Sequence, residues 1–388
     1  MKARGFSLVE IMVGLVIALL ATIVIFQVFA VSEGQKRTTT SGSDAQQSGS
    51  YALYLLEREL RVAGASLLST NNLLGCQVTA FSGATPLLPN APQPLTPAPP
   101  NPIRAIPVLI TDGGGGNSDS ITVLSGTSSG LATPVSFRAV AGPNPPNQIQ
   151  VESVVGFNSS DLILAVEQEA AFGPLPAPCT VAQVSNPAAA APAAISDPIE
   201  HDASASFPFN NSLGLLRAYS ASAMLVSLGP NPTMTVFAVQ NNALAAFDLL
   251  QRAPGGANPI VLANDVVNIQ AQYGIDNAPA GAGDDVIDAW VEPTAPWNAA
   301  ALTPLQIGQI KAIRIGLVIR SPLLERPDTS GNCTTTTNAP RALPAVASAV
   351  PAKPAAPTMP FVPASDGCYR YRIYETVIPV RNMIWSEI

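Results

Sequence analysis

Charge is scarce in this 388-residue chain: 12% of its residues are charged and 47% hydrophobic, against about 25% charged in an ordinary domain. A solvated, disordered tail needs the opposite balance and is excluded. Histidine is nearly missing, since His201 is the single one. That rules out multi-histidine metal centres and leaves one imidazole for acid–base work. Positive charge is in deficit, with 19 Lys and Arg against 26 Asp and Glu and a net charge of −7. The field that a phosphate backbone demands is lacking, so nucleic acid is not an expected partner. Four cysteines are too few for a disulfide scaffold of this length but enough for two bridges in an oxidising compartment. No Cys-x-x-Cys spacing occurs to found a metal site. Turn formers, by contrast, are abundant: 28 Gly and 38 Pro exceed the average share of about 12% and exclude an all-helical bundle. The length allows two or three domains.

The first 31 residues, MKARGFSLVEIMVGLVIALLATIVIFQVFAV, carry Lys2, Arg4 and Glu10 and then no charge from Ile11 to Val31. At about 1.5 Å per residue, residues 11–31 reach about 30 Å, enough to cross a hydrocarbon core. Lys2 and Arg4 precede the run and favour a cytoplasmic amino end with the bulk of the chain outside. No small-residue cleavage site follows it, because Gln27, Phe29 and residues 32–37 continue as a helix, so the anchor is expected to be retained. Glu10 is the anomaly. A carboxylate within a membrane segment costs about 2.5–3.5 kcal/mol on insertion scales and calls for a partner; at headgroup level it costs little.

Lys2-Ala3-Arg4-Gly5-Phe6-Ser7-Leu8-Val9-Glu10 resembles the class III leader of type IV pilins and pseudopilins. The resemblance implies that a prepilin peptidase cuts after Gly5 and that the new amino-terminal Phe6 is N-methylated. It also implies an assembly and register role for Glu10, whose charge would be met by the terminal amino group of a neighbouring subunit.

Beyond the anchor, Ala52, Leu56, Leu60 and Ala63 recur at three- and four-residue spacing and predict an amphipathic helix over 43–63, with Gly64 as end cap. Gly42, Ser48, Gly49 and Ser50 are expected to break or loosen the helix between its halves. The pattern then changes to short β-like runs, alternating at 120–124, 135–140 and 148–151 and continuing at 162–166, 234–239, 266–273, 313–320 and 371–380. These are mostly antiparallel candidates, because no regular helical patterns intervene. Three Pro- and Ala-rich stretches, 86–107, 174–198 and 339–363, read as extended loop insertions. The expected organisation is a leader (1–5), a transmembrane and assembly helix (6–31), its amphipathic continuation (32–66) and a β-rich periplasmic domain (67–388). The fold class is α+β and pilin-like, a long helix packed on a mostly antiparallel sheet.

Residues 262–276, 310–321 and 369–382 are similar to the late segments of PilW-type minor pilins, with residues 117–123 a weaker match upstream. This resemblance implies a non-enzymatic minor pilin without a cofactor that helps to prime pilus assembly and sits at the fibre tip. Implied partners are other minor pilins, the major pilin, the prepilin peptidase, the inner-membrane assembly machinery and, before assembly, membrane lipid. The implied location is the bacterial inner membrane, single-pass with a periplasmic carboxyl-terminal domain, and extracellular in the pilus. A type II secretion minor pseudopilin shares the leader and helix and is one alternative; a pilus-tip adhesin or ligand-binding module on the same stalk is another.

Four cysteines permit three pairings. Cys76–Cys179 with Cys333–Cys368 is favoured, because the second bridge would staple the last Pro/Ala insertion. Gly126-Thr127-Ser128-Ser129-Gly130 matches a nucleophile elbow, and Asp161 or Asp197 followed by His201 supplies the order, but the strand-to-helix context fails. Residues 111–117 lack the Lys-Ser/Thr of a phosphate loop. Asp276, Asp284, Asp285 and Asp288 do not follow the EF-hand spacing and read as a solvated loop, with calcium left open. Trp290 and Trp297 read as core or subunit contacts. No catalytic, cofactor or metal residue is expected.

Overall fold

A computed structural model describes residues 7–67, 74–88, 94–128, 133–139, 147–167, 178–186, 198–250, 258–277, 285–325, 330, 332, 342–343, 359–360 and 368–384. One α-helix, Leu8–Arg61, runs unbroken for 54 residues, about 80 Å at 1.5 Å per residue. The expected break at Gly42–Ser50 does not occur. A glycine inside a helix costs about 1 kcal/mol relative to alanine, too little to interrupt a ladder continued on both sides. Val62 caps the helix, and Gly64 turns the chain away at φ +75°, its N–H donating to Leu124 O at 2.8 Å.

Three sheets of four or more strands follow among the described residues. The carboxyl-terminal sheet is antiparallel throughout, in the order Ala289–Val291, Val266–Ile275, Ile310–Arg320, Tyr371–Pro379. The middle sheet, also antiparallel, runs Ile260–Asn264, Ala243–Asp248, Thr233–Gln240, Ser120–Ser125, Val108–Thr111. The first sheet runs Thr85–Leu88, Gln77–Ser82, Pro178–Gln183, Leu162–Val166, Met224–Gly229, Val135–Ser136, and its Gln77–Ser82/Pro178–Gln183 pair is parallel. A Cys76–Cys179 disulfide lies beside that parallel pair.

A continuous core joins Leu56 and Leu60 of the helix to Ile121 and Val236 of the middle sheet and to Ile269 and Ile313 of the carboxyl-terminal sheet. A second core gathers Phe137, Ile163 and Tyr219, with the Tyr219 hydroxyl 2.6 Å from Thr180 Oγ1.

The three insertions need correction. Within 174–198, Pro178–Gln183 is a fully buried interior strand; its proline stands at the first strand position, where no ladder hydrogen is lost. Within 86–107, Thr85–Leu88 is a strand and Leu95, Ile103, Ala105 and Ile106 are buried. Within 339–363, Ala342–Leu343 pairs with Met359–Pro360, and the rest lies outside the described residues.

Candidate assembly interface

The first half of the helix is bare. Leu15, Val16, Ile17, Leu20, Phe26 and Phe29 are all more than half exposed, and this stretch is long and apolar enough to cross a membrane. Glu10 is exposed in the first turn of the helix, where a carboxylate complements the positive end of the helix dipole. Gly5 and Phe6 lie outside the described residues.

The second half is seated. Ser41, Ala45, Gly49, Ala52, Leu56, Leu60 and Ala63 form one buried stripe at the three- and four-residue spacing that keeps one helix face on a partner. Its seat is the last strand, Tyr371–Pro379, with Ile310–Arg320 and Ile260–Asn264 alongside. A Cβ added at Gly49 would stand 2.3 Å from the Tyr374 ring, so only glycine permits this approach. The Tyr374 hydroxyl is buried without a hydrogen-bond partner, and burial raises its pKa. At the far end, Asn382 Nδ2 donates to Ala63 O at 2.8 Å. Gly49 beside Tyr374 and Ala63 beside Asn382 show that helix and last strand run in the same direction.

Behind the seam, the carboxyl-terminal sheet carries buried charge. The Arg314 side chain is fully buried; its Nε meets Glu375 Oε1 at 2.5 Å and its Nη1 donates to Gln272 Oε1 at 2.9 Å. Gln272 Nε2 in turn donates to Glu292 Oε1 at 2.6 Å. Burial raises the Glu292 pKa, partly offset by that hydrogen bond. Buried Lys311 holds Asp285 at 2.9 Å. Asp276, 2% exposed, accepts Asp285 N–H at 3.0 Å, and Asp288 accepts Asn277 N–H at 3.0 Å. Among the described residues of the acidic segment, Asp276 is buried, while Asp285 is exposed and Asp288 half-buried; Lys311 and backbone amides meet their carboxylates. Asp284 lies outside the described residues, and among those described no group of three or more metal-ligating side chains forms.

Tyr273 and Asp119 are among the side chains that tie the middle sheet to this one. Tyr273 Oη accepts Ile110 N–H at 2.6 Å. The Asp119 carboxylate accepts Gly113 N–H at 3.0 Å and Ala271 N–H at 2.9 Å, while its own N–H donates to Ile269 O. Asp119 thus stands in for a strand along the edge of Val266–Ile275. Burial pushes its pKa up to about 7 against the pull of those amides.

The remaining candidates are dispersed. Ser128 is tied through its backbone N–H to Ser66 Oγ, whereas buried His201 donates its backbone N–H to Asn147 O beside the Gln148–Ile149/Ile199–Glu200 ladder. Asp161 caps its own turn at Asn158, and Ser129, Gly130 and Asp197 lie outside the described residues. After Ser120–Ser125 the next described element is another strand, Val135–Ser136, not a helix. Trp290 covers Gly274, and Trp297 packs against the core. Cys368 is disulfide-bonded; Cys333 lies outside the described residues. Sequence reasoning missed the Gly49–Tyr374 contact, the Arg314 network and Asp119. The charges inside Ile310–Arg320 were the available signal for the second.

A long helix, bare and apolar in its first half and seated on an antiparallel sheet in its second, is the pilin-like α+β arrangement that the leader's resemblance implies. Residues 236–382 match the model of the family described as Type IV Pilus-assembly protein W. Over that segment, somewhat more than a third of its length, the chain is similar to a type IV pilus-assembly family. No curated protein matches it. Among solved structures, the type IV-like pilin TTHA1219 from Thermus thermophilus is similar at 16% identity over 39% of this chain and 66% of that chain, with a TM-score of 0.19.

Proposed function

We propose that this chain is a minor pilin that helps to prime type IV pilus assembly and takes a place at the fibre tip. It is made with residues 1–5 as a leader, cut after Gly5 and N-methylated on Phe6. Until assembly it waits in the inner membrane with its β-rich domain in the periplasm. Residues 6–31 then exchange lipid for neighbouring pilin helices, and Glu10 meets the amino terminus of the next subunit, the one cation that such a packing brings to its depth. Other minor pilins and the major pilin are its neighbours. One observation carries the reading: the strand on which the helix rests, Tyr371–Pro379, lies inside the segment that matches the PilW family. The anchor and the family segment are therefore parts of one packed unit.

The test is intact-mass and amino-terminal analysis of the protein from native membranes and sheared fibres, alongside a strain without prepilin peptidase. A chain beginning with N-methylated Phe6 in the fibre fraction is expected. A chain beginning at Met1 in wild-type membranes would overturn the proposal.

A further inference from the structure

Where the helix leaves its seat, a cleft of about 440 Å³ opens between Ala30, Gly34 and Arg37 on one side and Leu323 and Leu324 on the other. The two leucines belong to the turn that follows Ile310–Arg320. Pro322, Leu323 and Leu324 are exposed in succession, the leucines by 42% and 48%. Three exposed apolar residues in a row would ordinarily mark a loose loop, yet this turn is pinned at both ends. Ser321 N–H donates to Arg370 O at 2.7 Å, and Ser321 Oγ accepts Arg370 N–H at 3.1 Å while donating to Leu323 O at 3.0 Å. Glu325 N–H donates to Cys368 O at 2.8 Å, and the Glu325 carboxylate pairs with the Arg370 guanidinium. Next to it, Arg320 stacks on Tyr369 at 4.5 Å and reaches Asp265. The fold therefore holds a rigid apolar knuckle out to solvent.

Its height along the helix decides what it meets. The uncharged stretch ends at Ser32, before Glu33, so Ala30 lies at the edge of the hydrocarbon. Gly34 lies about 6 Å further out, within the headgroup layer, which adds about 5–8 Å to each side of the hydrocarbon. Leu323 and Leu324 share a cleft with both residues. We infer that the 322–324 turn is a second membrane contact, its leucines seated in the headgroup layer beside the spanning helix. Arg37 lines the cleft together with Glu33 and with Glu325, whose carboxylate is already paired with Arg370, and the buried Ser41 hydroxyl that also lines it has no hydrogen-bond partner. The contact fixes the tilt of the domain over the bilayer, since a single helix leaves it free to swing. It rests on the reading of residues 11–31 as a membrane span.

The test uses the full chain in vesicles of phosphatidylethanolamine and phosphatidylglycerol, with a photo-crosslinking amino acid placed singly at 20, 155 or 323. Position 20 reports the span, and exposed position 155 stands for the distal domain. Lipid adducts at 20 and 323, with none at 155, are expected. Adducts at 20 alone would show that the helix spans and the turn does not touch lipid, overturning the inference by itself. Crosslinks from 323 to a second copy of the chain would overturn it in favour of a subunit contact. Absence of adducts at 20 would remove the spanning reading and this inference together.

Discussion

Gly49 and Tyr374 set how closely the helix approaches its sheet. Gly49→Ala adds a methyl group where the ring already lies, and overpacking of this kind costs about 1–3 kcal/mol, more than the roughly 1 kcal/mol that alanine returns in helix propensity. Gly42, in the same helix, has nothing within 4 Å of its would-be Cβ, so Gly42→Ala is expected to stabilise by up to about 1 kcal/mol. Urea unfolding of the two variants should give opposite signs. Asp119 and His201 supply opposing pH dependences. Asp119 is held near pKa 7 in the fold, against about 3.9 unfolded. The native state therefore keeps a proton that the unfolded chain has released, and stability falls as pH rises through that window. His201 is pushed down to about 4 by burial, so the unfolded chain takes up a proton below about pH 6.5 and stability falls as pH drops toward 4. Unfolding midpoints measured from pH 4 to 7.5 should gain a rising slope in Asp119→Asn and a steeper falling slope in His201→Asn. Unchanged slopes in both would refute the assignment of these two groups.

At the scale of elements, Ile310–Arg320 is the strand on which the carboxyl-terminal sheet depends, buried along all but its last residue and carrying Arg314 in its middle. Arg314→Leu leaves Glu375 and Gln272 without their donor, and breaking a buried pair in this way costs about 3–5 kcal/mol. The double change with Glu375→Leu should recover part of that loss in denaturant unfolding, since two apolar side chains leave no stranded charge. The strand itself was legible as a β-like run, as were Leu162–Val166, Val266–Ile275 and Tyr371–Pro379, each found within two or three residues of its expected bounds. Other strands were hidden for identifiable reasons. Ala243–Asp248 and Met224–Gly229 are rich in Ala, Leu and Met, residues that favour helix when read alone, and their strand identity comes from neighbours on both edges. Pro178–Gln183 sat inside a Pro/Ala-rich stretch whose composition masked Val181 and Cys179. Of the interface, the apolar half of the helix and the Leu56–Leu60 face could be read directly. The Gly49 contact could not, because a glycine declares nothing about which side chain it makes room for.

Over the whole molecule, the Cys76–Cys179 bridge closes a loop of 103 residues that contains most of the first sheet and two strands of the middle one. A cross-link over so long a span removes much freedom from the unfolded chain and is worth about 2–5 kcal/mol. Cys76→Ala with Cys179→Ala should lower the denaturant midpoint accordingly; an unchanged midpoint would mean that the parallel strand pair holds without it. The shared direction of the helix and the last strand has a mechanical consequence. A load drawn along the helix axis, as the proposed departure from the bilayer would impose, acts on this seam in shear. All the contacts from Ser41 to Ala63 then resist together, instead of parting one after another as they would if the helix were peeled from one end, so the anchor can be hauled hard without the domain unzipping from it.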